Sequence, residues 1–226
     1  MAKREITAAS AEAIENGRVV RRYVAVVGRP DRASPEVTAK IQGVRFNPTW
    51  TVPKTIAQKD IIPKILKNPG VLQSMNMKVL DTNGKEIKAS SVNWSKEILD
   101  PKVTIRQEPG RGNSLGEVRI NMPNPDAVYM HDTPHKELFG GDFRFNSSGC
   151  VRVEGVKDLA LWLLNDQGFD LARVNEAIAN KDLADHALSR PVPVTWVYLT
   201  GFVTEDGLVN FRDEIYGLDA LRFASR

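Results

Sequence analysis

Apolar, β-branched runs bounded by turn dipeptides dominate the first part of the chain. Val19 to Val27 is one such run, stopped by Gly28-Arg29-Pro30, and Ile41 to Phe46 is a second, ended by Asn47-Pro48. Asn16-Gly17, just ahead of the first run, is the preferred pair for a two-residue hairpin turn, because both turn positions need positive φ. From Thr55 to Leu72 the spacing becomes helical, carried by Ile56, Ile61, Ile62, Ile65 and Leu66. Thr55 with Gln58 reads as a capping box, and Pro63 divides the run into two short helices or restarts it. Asn83-Gly84 marks another tight turn and Val92 to Leu99 is irregular, so residues 53 to about 100 read as a helical and hairpin element inserted between strands. Strand character returns in Val103 to Gln107, Glu117 to Met122 and Ala127 to Met130, the first two joined by the Gly/Pro/Asn-rich link Glu108 to Gly116.

Past Cys150, Val156 to Leu164 forms a compact apolar helix, and a second helix begins near Asp170, whose carboxylate caps the N–H groups that follow. Val192 to Thr200 and Gly201 to Phe211 are the last strands, with a turn at Asp206-Gly207, and Leu218 to Phe223 is a short helix. No internal repeat interrupts this order. The pattern predicts one mainly β (α+β) domain over residues 1–226, a β-sandwich or barrel-like fold with peripheral helices.

Composition narrows the function classes. With 226 residues, 42% hydrophobic and 26% charged, the chain can bury one sizeable core, which excludes disordered and collagen-like classes. No window of 18 apolar residues exists, so no membrane span is expected. Met1-Ala2-Lys3-Arg4-Glu5-Ile6 lacks the apolar centre of a secretory signal, so either the protein is cytosolic or the chain begins after a removed signal. A net charge of +3 is a weak pointer to nucleic acid; basic and acidic residues are interspersed with no run of five like charges, and no nucleic-acid partner is expected. One cysteine permits no internal disulfide. With three histidines it supplies too few ligands for a zinc centre, and no metal or cofactor is expected.

That cysteine sits in Asn146-Ser147-Ser148-Gly149-Cys150-Val151-Arg152, where small residues let a substrate approach the backbone. His131 precedes it by 19 positions, at the end of the apolar strand Ala127 to Met130 and followed by Asp132-Thr133-Pro134. A thiol is only slightly ionised at neutral pH, so a nucleophilic cysteine needs an imidazole or another cation nearby. A lone cysteine is nevertheless more often an inert core residue, and a lone strand-end histidine is more often structural. His135 is a competing base in a polar loop; His186, read as lying in a polar helix, receives no role.

Val128-Tyr129-Met130-His131-Asp132-Thr133-Pro134, Leu138-Phe139, Arg144 and Ser147-Ser148-Gly149-Cys150-Val151-Arg152 together resemble the active-site signature of the L,D-transpeptidases, cysteine enzymes of bacterial peptidoglycan. The resemblance extends over about residues 14 to 220. Phe46-Asn47-Pro48-Thr49-Trp50-Thr51-Val52-Pro53, Asp60-Ile61-Ile62-Pro63-Lys64, Arg106-Gln107, Asn113-Ser114-Leu115-Gly116 and Phe211 to Gly217 look like the YkuD-type subgroup with a large insertion, in which a subdomain, here about residues 53–100, caps the cleft. Two departures stand out. Ser148 occupies a position where many relatives have histidine, and the signal or membrane anchor usual in relatives is missing from this sequence.

The resemblance implies acyl transfer on a tetrapeptide stem. Cys150 attacks the carbonyl of the third stem residue, releases D-Ala as a thioester forms, and a second stem's amine resolves it into a 3→3 cross-link. His131 matches the family's base and holds the thiolate, oriented by the backbone carbonyl of Asp132 rather than its carboxylate. The N–H groups of Gly149 and Cys150, helped by the Ser148 hydroxyl, fit an oxyanion hole, and a side chain at position 149 would block the approach. Arg144 and Arg152 would bind the stem's carboxylates, with a structural ion pair as the other reading of Arg152. Tyr129 and Trp50 read as core residues. The implied location is the periplasm or cell envelope, and the implied partners are a donor tetrapeptide and an amine acceptor. An L,D-carboxypeptidase, a transpeptidase anchoring an outer-membrane protein to peptidoglycan, and a non-catalytic peptidoglycan-binding module are the competing readings.

Overall fold

The computed structural model describes residues 9–94, 102–181, 183–203 and 207–220. The chain is mainly β. Its first hairpin pairs β1 (Ala9–Glu15) with β2 (Arg18–Gly28). Asn16 and Gly17 both take positive φ between them, as a turn that matches the strands' twist requires. β3 (Val37–Phe46) follows, longer than its apolar run because its first residues pair with a late strand. The chain then leaves the main sheet. β4 (Trp50–Thr51), β5 (Met77–Leu80), β6 (Glu86–Ile87) and β7 (Thr104–Gln107) make a separate sheet in the order β4-β7-β5-β6.

A second apolar cluster lies under that sheet, built from Val52, Ala57, Ile61, Ile62, Ile65, Leu72, Met77, Val79, Val103 and Ile105. Its helical part departs from the capping-box expectation. Helix begins at Lys54, Thr55 falls inside the first turn, and no side chain caps the start. Nor does Pro63 split the run: Lys54–Ile56, a π-type stretch Ala57–Ile61 and Ile62–Lys67 are continuous, and a separate turn of helix, Val71–Ser74, follows. The Ile62 N–H reaches the Ala57 carbonyl five residues back, so the bonding pattern has slipped by one just where proline offers no N–H. Of the irregular stretch Val92 to Leu99, residues 95–99 lie outside the described residues.

Two buried amides pin the return to the main sheet. Gln107 donates to the carbonyls of Met75 and Gly112 and accepts from the Ser114 N–H, while Asn113 donates to those of Pro48 and Glu108. The main sheet resumes with β8 (Val118–Asn121), β9 (Met130–His131), β10 (Phe145–Ser147), β11 (Val151–Val153) and β12 (Asp185–Trp196), in the order β1-β2-β11-β9-β8-β3-β12 with β10 beside β2. The strand expected over Ala127 to Met130 is shortened to β9, because Ala127 takes a positive φ. Helices Val156–Leu164 and Leu171–Ala179 cover one face of this sheet. Asp170 caps the second, its carboxylate accepting from the Arg173 N–H at 2.8 Å. His186 lies in β12 between the Phe46 and Phe169 rings, not in a helix. β13 (Gly201–Val203) and β14 (Val209–Phe211) form a hairpin; Asp206 of its turn lies outside the described residues, as does the expected terminal helix beyond residue 220.

Candidate active site

Register makes the site. β11 runs parallel to β9 and antiparallel β8 lies on the other side, which sets Arg119 opposite His131 and His131 opposite Arg152. Residues opposite one another share a face, so these three form a row across the sheet. Val118, Ile120, Met130, Val151 and Val153 alternate with them and point the other way, into the core. The Val151 N–H donates to the Tyr129 carbonyl at 3.1 Å, which sets Cys150 beside Tyr129 in the next row of the same face. Alternation along three short strands thus brings the only cysteine and a buried histidine to one surface.

His131 is 5% exposed, and its Nδ1 bonds to the backbone carbonyl of Asp132. A carbonyl only accepts, so Nδ1 carries the proton and Nε2 keeps the lone pair. The Asp132 carboxylate is engaged elsewhere: it accepts from the Glu117 N–H at 3.0 Å and pairs with Lys136. Gly116 makes room for it, since a Cβ there would lie 2.4 Å from a carboxylate oxygen. Burial, followed by the charges of Arg152 and Arg119, pushes the His131 pKa down to about 4. The Cys150 thiol is pushed up by burial, against the Tyr129 backbone, Arg119, the Tyr129 hydroxyl and Arg152, which all favour the thiolate. The resting site at neutral pH therefore holds a neutral thiol and a neutral imidazole. This differs from a histidine that holds a thiolate as an ion pair; such an imidazole serves as a base at the moment of attack.

The loop before the cysteine folds on itself. Ser147 Oγ donates to the Cys150 carbonyl and accepts from the Gly149 N–H at 3.2 Å, and Ser34 Oγ donates to the Gly149 carbonyl at 2.7 Å. With the Gly149 N–H already bonded, the Cys150 N–H is a backbone donor of this loop without an acceptor among the described residues. Glycine at 149 answers a backbone need. A Cβ would meet nothing closer than 3.7 Å, but φ is +112°. Gly149→Ala should therefore cost about 1–3 kcal/mol of stability, read as a lower denaturation midpoint. Ser148 is exposed and its hydroxyl accepts from Arg32 at 3.1 Å.

Sequence reasoning missed three residues and misplaced one. Arg119 stacks on the Tyr129 ring with its guanidinium carbon 4.6 Å from the centroid. Tyr129, read as core, has a hydroxyl whose ionisation responds to Cys150 and to Trp50 of β4, so the second sheet comes close to the site. Arg119 and Arg152 each bury an Nε without an acceptor among the described residues. Neither forms an ion pair there, although the Glu137 carboxylate attracts Arg152 from farther off. Arg144, by contrast, donates to the carbonyls of Ala25, Gly141 and Ala9, and so ties backbone segments together instead of offering a fork to substrate. His135 is exposed and paired with Glu137. Among the described residues no cluster of His, Cys, Asp or Glu could hold a metal ion, and no helix is long and apolar enough to cross a membrane.

A half-buried thiol on the same sheet face as an imidazole with a fixed tautomer, in a row that also carries two arginines, is an arrangement suited to a cysteine nucleophile. Residues 5–194 match the family model for the L,D-transpeptidase catalytic domain (YkuD), and the chain belongs to that family. It is 35% identical over 195 residues, 86% of its length, to a Haemophilus influenzae protein named "Putative L,D-transpeptidase", and spans 39% of that relative.

Proposed function

We propose that this domain is a peptidoglycan L,D-transpeptidase of the bacterial cell envelope, which acts on a donor tetrapeptide stem and an amine acceptor and is open to acylation by carbapenems. The observation that carries the reading is the fixed tautomer of His131, whose bond to the Asp132 carbonyl leaves Nε2 as the free base on the face that bears Cys150. As Cys150 Sγ attacks the carbonyl carbon of the third stem residue, its proton passes to His131 Nε2, and the carbonyl π electrons move to oxygen. The Cys150 N–H faces that oxyanion, with the Tyr129 hydroxyl adjacent. Collapse breaks the amide bond, and His131 returns the proton to the departing D-Ala nitrogen. The acceptor amine then attacks the thioester, gives its proton to His131, and the thiol is restored.

Arg152 and Arg119, cations without carboxylate partners among the described residues, suit the carboxylates of the stem. The second sheet and its helices act in this reading as the cap that keeps water from the thioester. Hydrolysis in place of aminolysis would make the domain an L,D-carboxypeptidase, and a protein amine as acceptor would make it an anchoring enzyme; the chemistry up to the thioester is common to all three. Incubation with purified disaccharide tetrapeptide separates cross-linking from hydrolysis by product mass. A dimer lacking one D-Ala is expected, tripeptide alone means carboxypeptidase, and unchanged tetrapeptide refutes the proposal.

A further inference from the structure

Asp60 belongs to a sequence motif that the chemistry above leaves unused. It lies in the π-type stretch of the second-sheet unit, where the widened turn just ahead of Pro63 carries it. Its carboxylate takes a two-pronged bond from Arg32, Nη1 at 2.5 Å and Nη2 at 3.1 Å, and Arg32 comes from the short 3-10 turn Pro30–Arg32 that follows β2 of the main sheet. The same Nη1 donates to Ser148 Oγ at 3.1 Å. One guanidinium therefore joins the second-sheet unit to the residue two positions before the nucleophile.

We infer that Arg32 is a positioning residue for the nucleophile loop, held in place by Asp60 and in turn holding Ser148, so that the second-sheet unit sets the geometry of Gly149 and Cys150. The inference rests on the proposed function only for the activity arm of its test.

Three features separate this from an ordinary surface ion pair. The Arg32 side chain is 14% exposed, its fork is filled by one carboxylate, and Asp31 lies farther off at 3.9 Å. Arg32 holds the Asp60 carboxyl below its usual range, so the pair stays charged at neutral pH. The other anchors of the loop are local to the main sheet: Ser147 bonds within the loop, and Ser34 closes on Gly149 from the segment before β3. Arg32 is the anchor whose other end belongs to the second unit. Serine at 148 fits this use, since a hydroxyl oxygen accepts from a guanidinium and a protonated imidazole nitrogen does not.

The test uses Asp60→Asn, which keeps the side chain's shape and removes its charge, Ser148→Ala, and the double variant. Hydrogen exchange of the backbone amides at 148–150 reads loop order without any substrate, and D-Ala release from a tetrapeptide reads the chemistry. Each single variant should exchange these amides about tenfold faster and lower kcat about tenfold with KM changed less than about twofold, as expected from one charged hydrogen bond. The double variant should fall no further than the worse single one, because both act through Arg32. Exchange in Asp60→Asn at the parent rate overturns the inference, and so do losses that multiply in the double variant. Faster exchange in a protein whose parent releases no D-Ala refutes the proposed function and leaves the positioning role supported.

Discussion

His131→Gln is expected to slow acylation of Cys150 about 10²- to 10⁴-fold, and Cys150→Ala to abolish the covalent adduct, measured by intact mass after exposure to a carbapenem. The size of the histidine effect follows from its protonation state. Burial and two neighbouring cations hold the imidazole pKa at about 4, and burial holds the thiol above its ordinary value. Attack at neutral pH therefore starts from a thiol and requires the base to remove a proton. The sign of the pH dependence is fixed by this arrangement. His131 works only when neutral, so acylation should stay level as pH falls through 6 and decline only as the imidazole takes up a proton near pH 4. In His131→Gln that acid limb should disappear, and the residual rate should rise toward alkaline pH as the thiol ionises unaided. A parent limb near the unperturbed histidine value of about 6.5 would overturn the neutral-pair reading, and an adduct persisting in Cys150→Ala would remove Cys150 as the nucleophile.

Sequence carried the candidate nucleophile, the candidate base and most strands because each has a local signature: a thiol among small residues, a histidine at the end of an apolar run, turns at Asn16-Gly17 and Asn83-Gly84. What stayed hidden depends on which strands are neighbours. β11 joins β9 in the sheet although β10 lies between them in the chain, and Arg119 enters the site only because β8 pairs with β9 in a register that sets it opposite His131. Tyr129 reads as core by its flanking apolar residues and does pack against the core cluster, yet its ring also takes the Arg119 guanidinium and meets the His131 ring edge-on. Arg144 sits inside the signature but spends its donors on backbone carbonyls, a competition that residue type alone does not reveal. The Thr55/Gln58 pair shows the same limit in a helix, where the spacing is right but the chain enters the helix two residues earlier.

The same dependence on register explains why Arg152 and Arg119 should divide the labour. Both are placed on the face of Cys150, both bury an Nε without an acceptor among the described residues, and both lower the His131 pKa. An unpaired, partly desolvated cation is a cost to the fold that substrate can offset. Arg152→Met should therefore raise KM for the tetrapeptide about 10- to 100-fold, the loss of one charge-assisted carboxylate contact, while leaving the denaturation midpoint unchanged or slightly higher. It should also lift the acid limb of the pH profile, because a cation that disfavours imidazolium is gone. Arg119 acts more strongly on the thiol than Arg152 does and stacks on Tyr129. Arg119→Met should accordingly slow alkylation of Cys150 by iodoacetamide at a fixed pH near neutrality and move its alkaline limb upward, an effect that a packing role alone would not produce. A fall in midpoint without change in KM or in either limb would return both arginines to the structural role, and would leave the stem's carboxylates to be bound elsewhere.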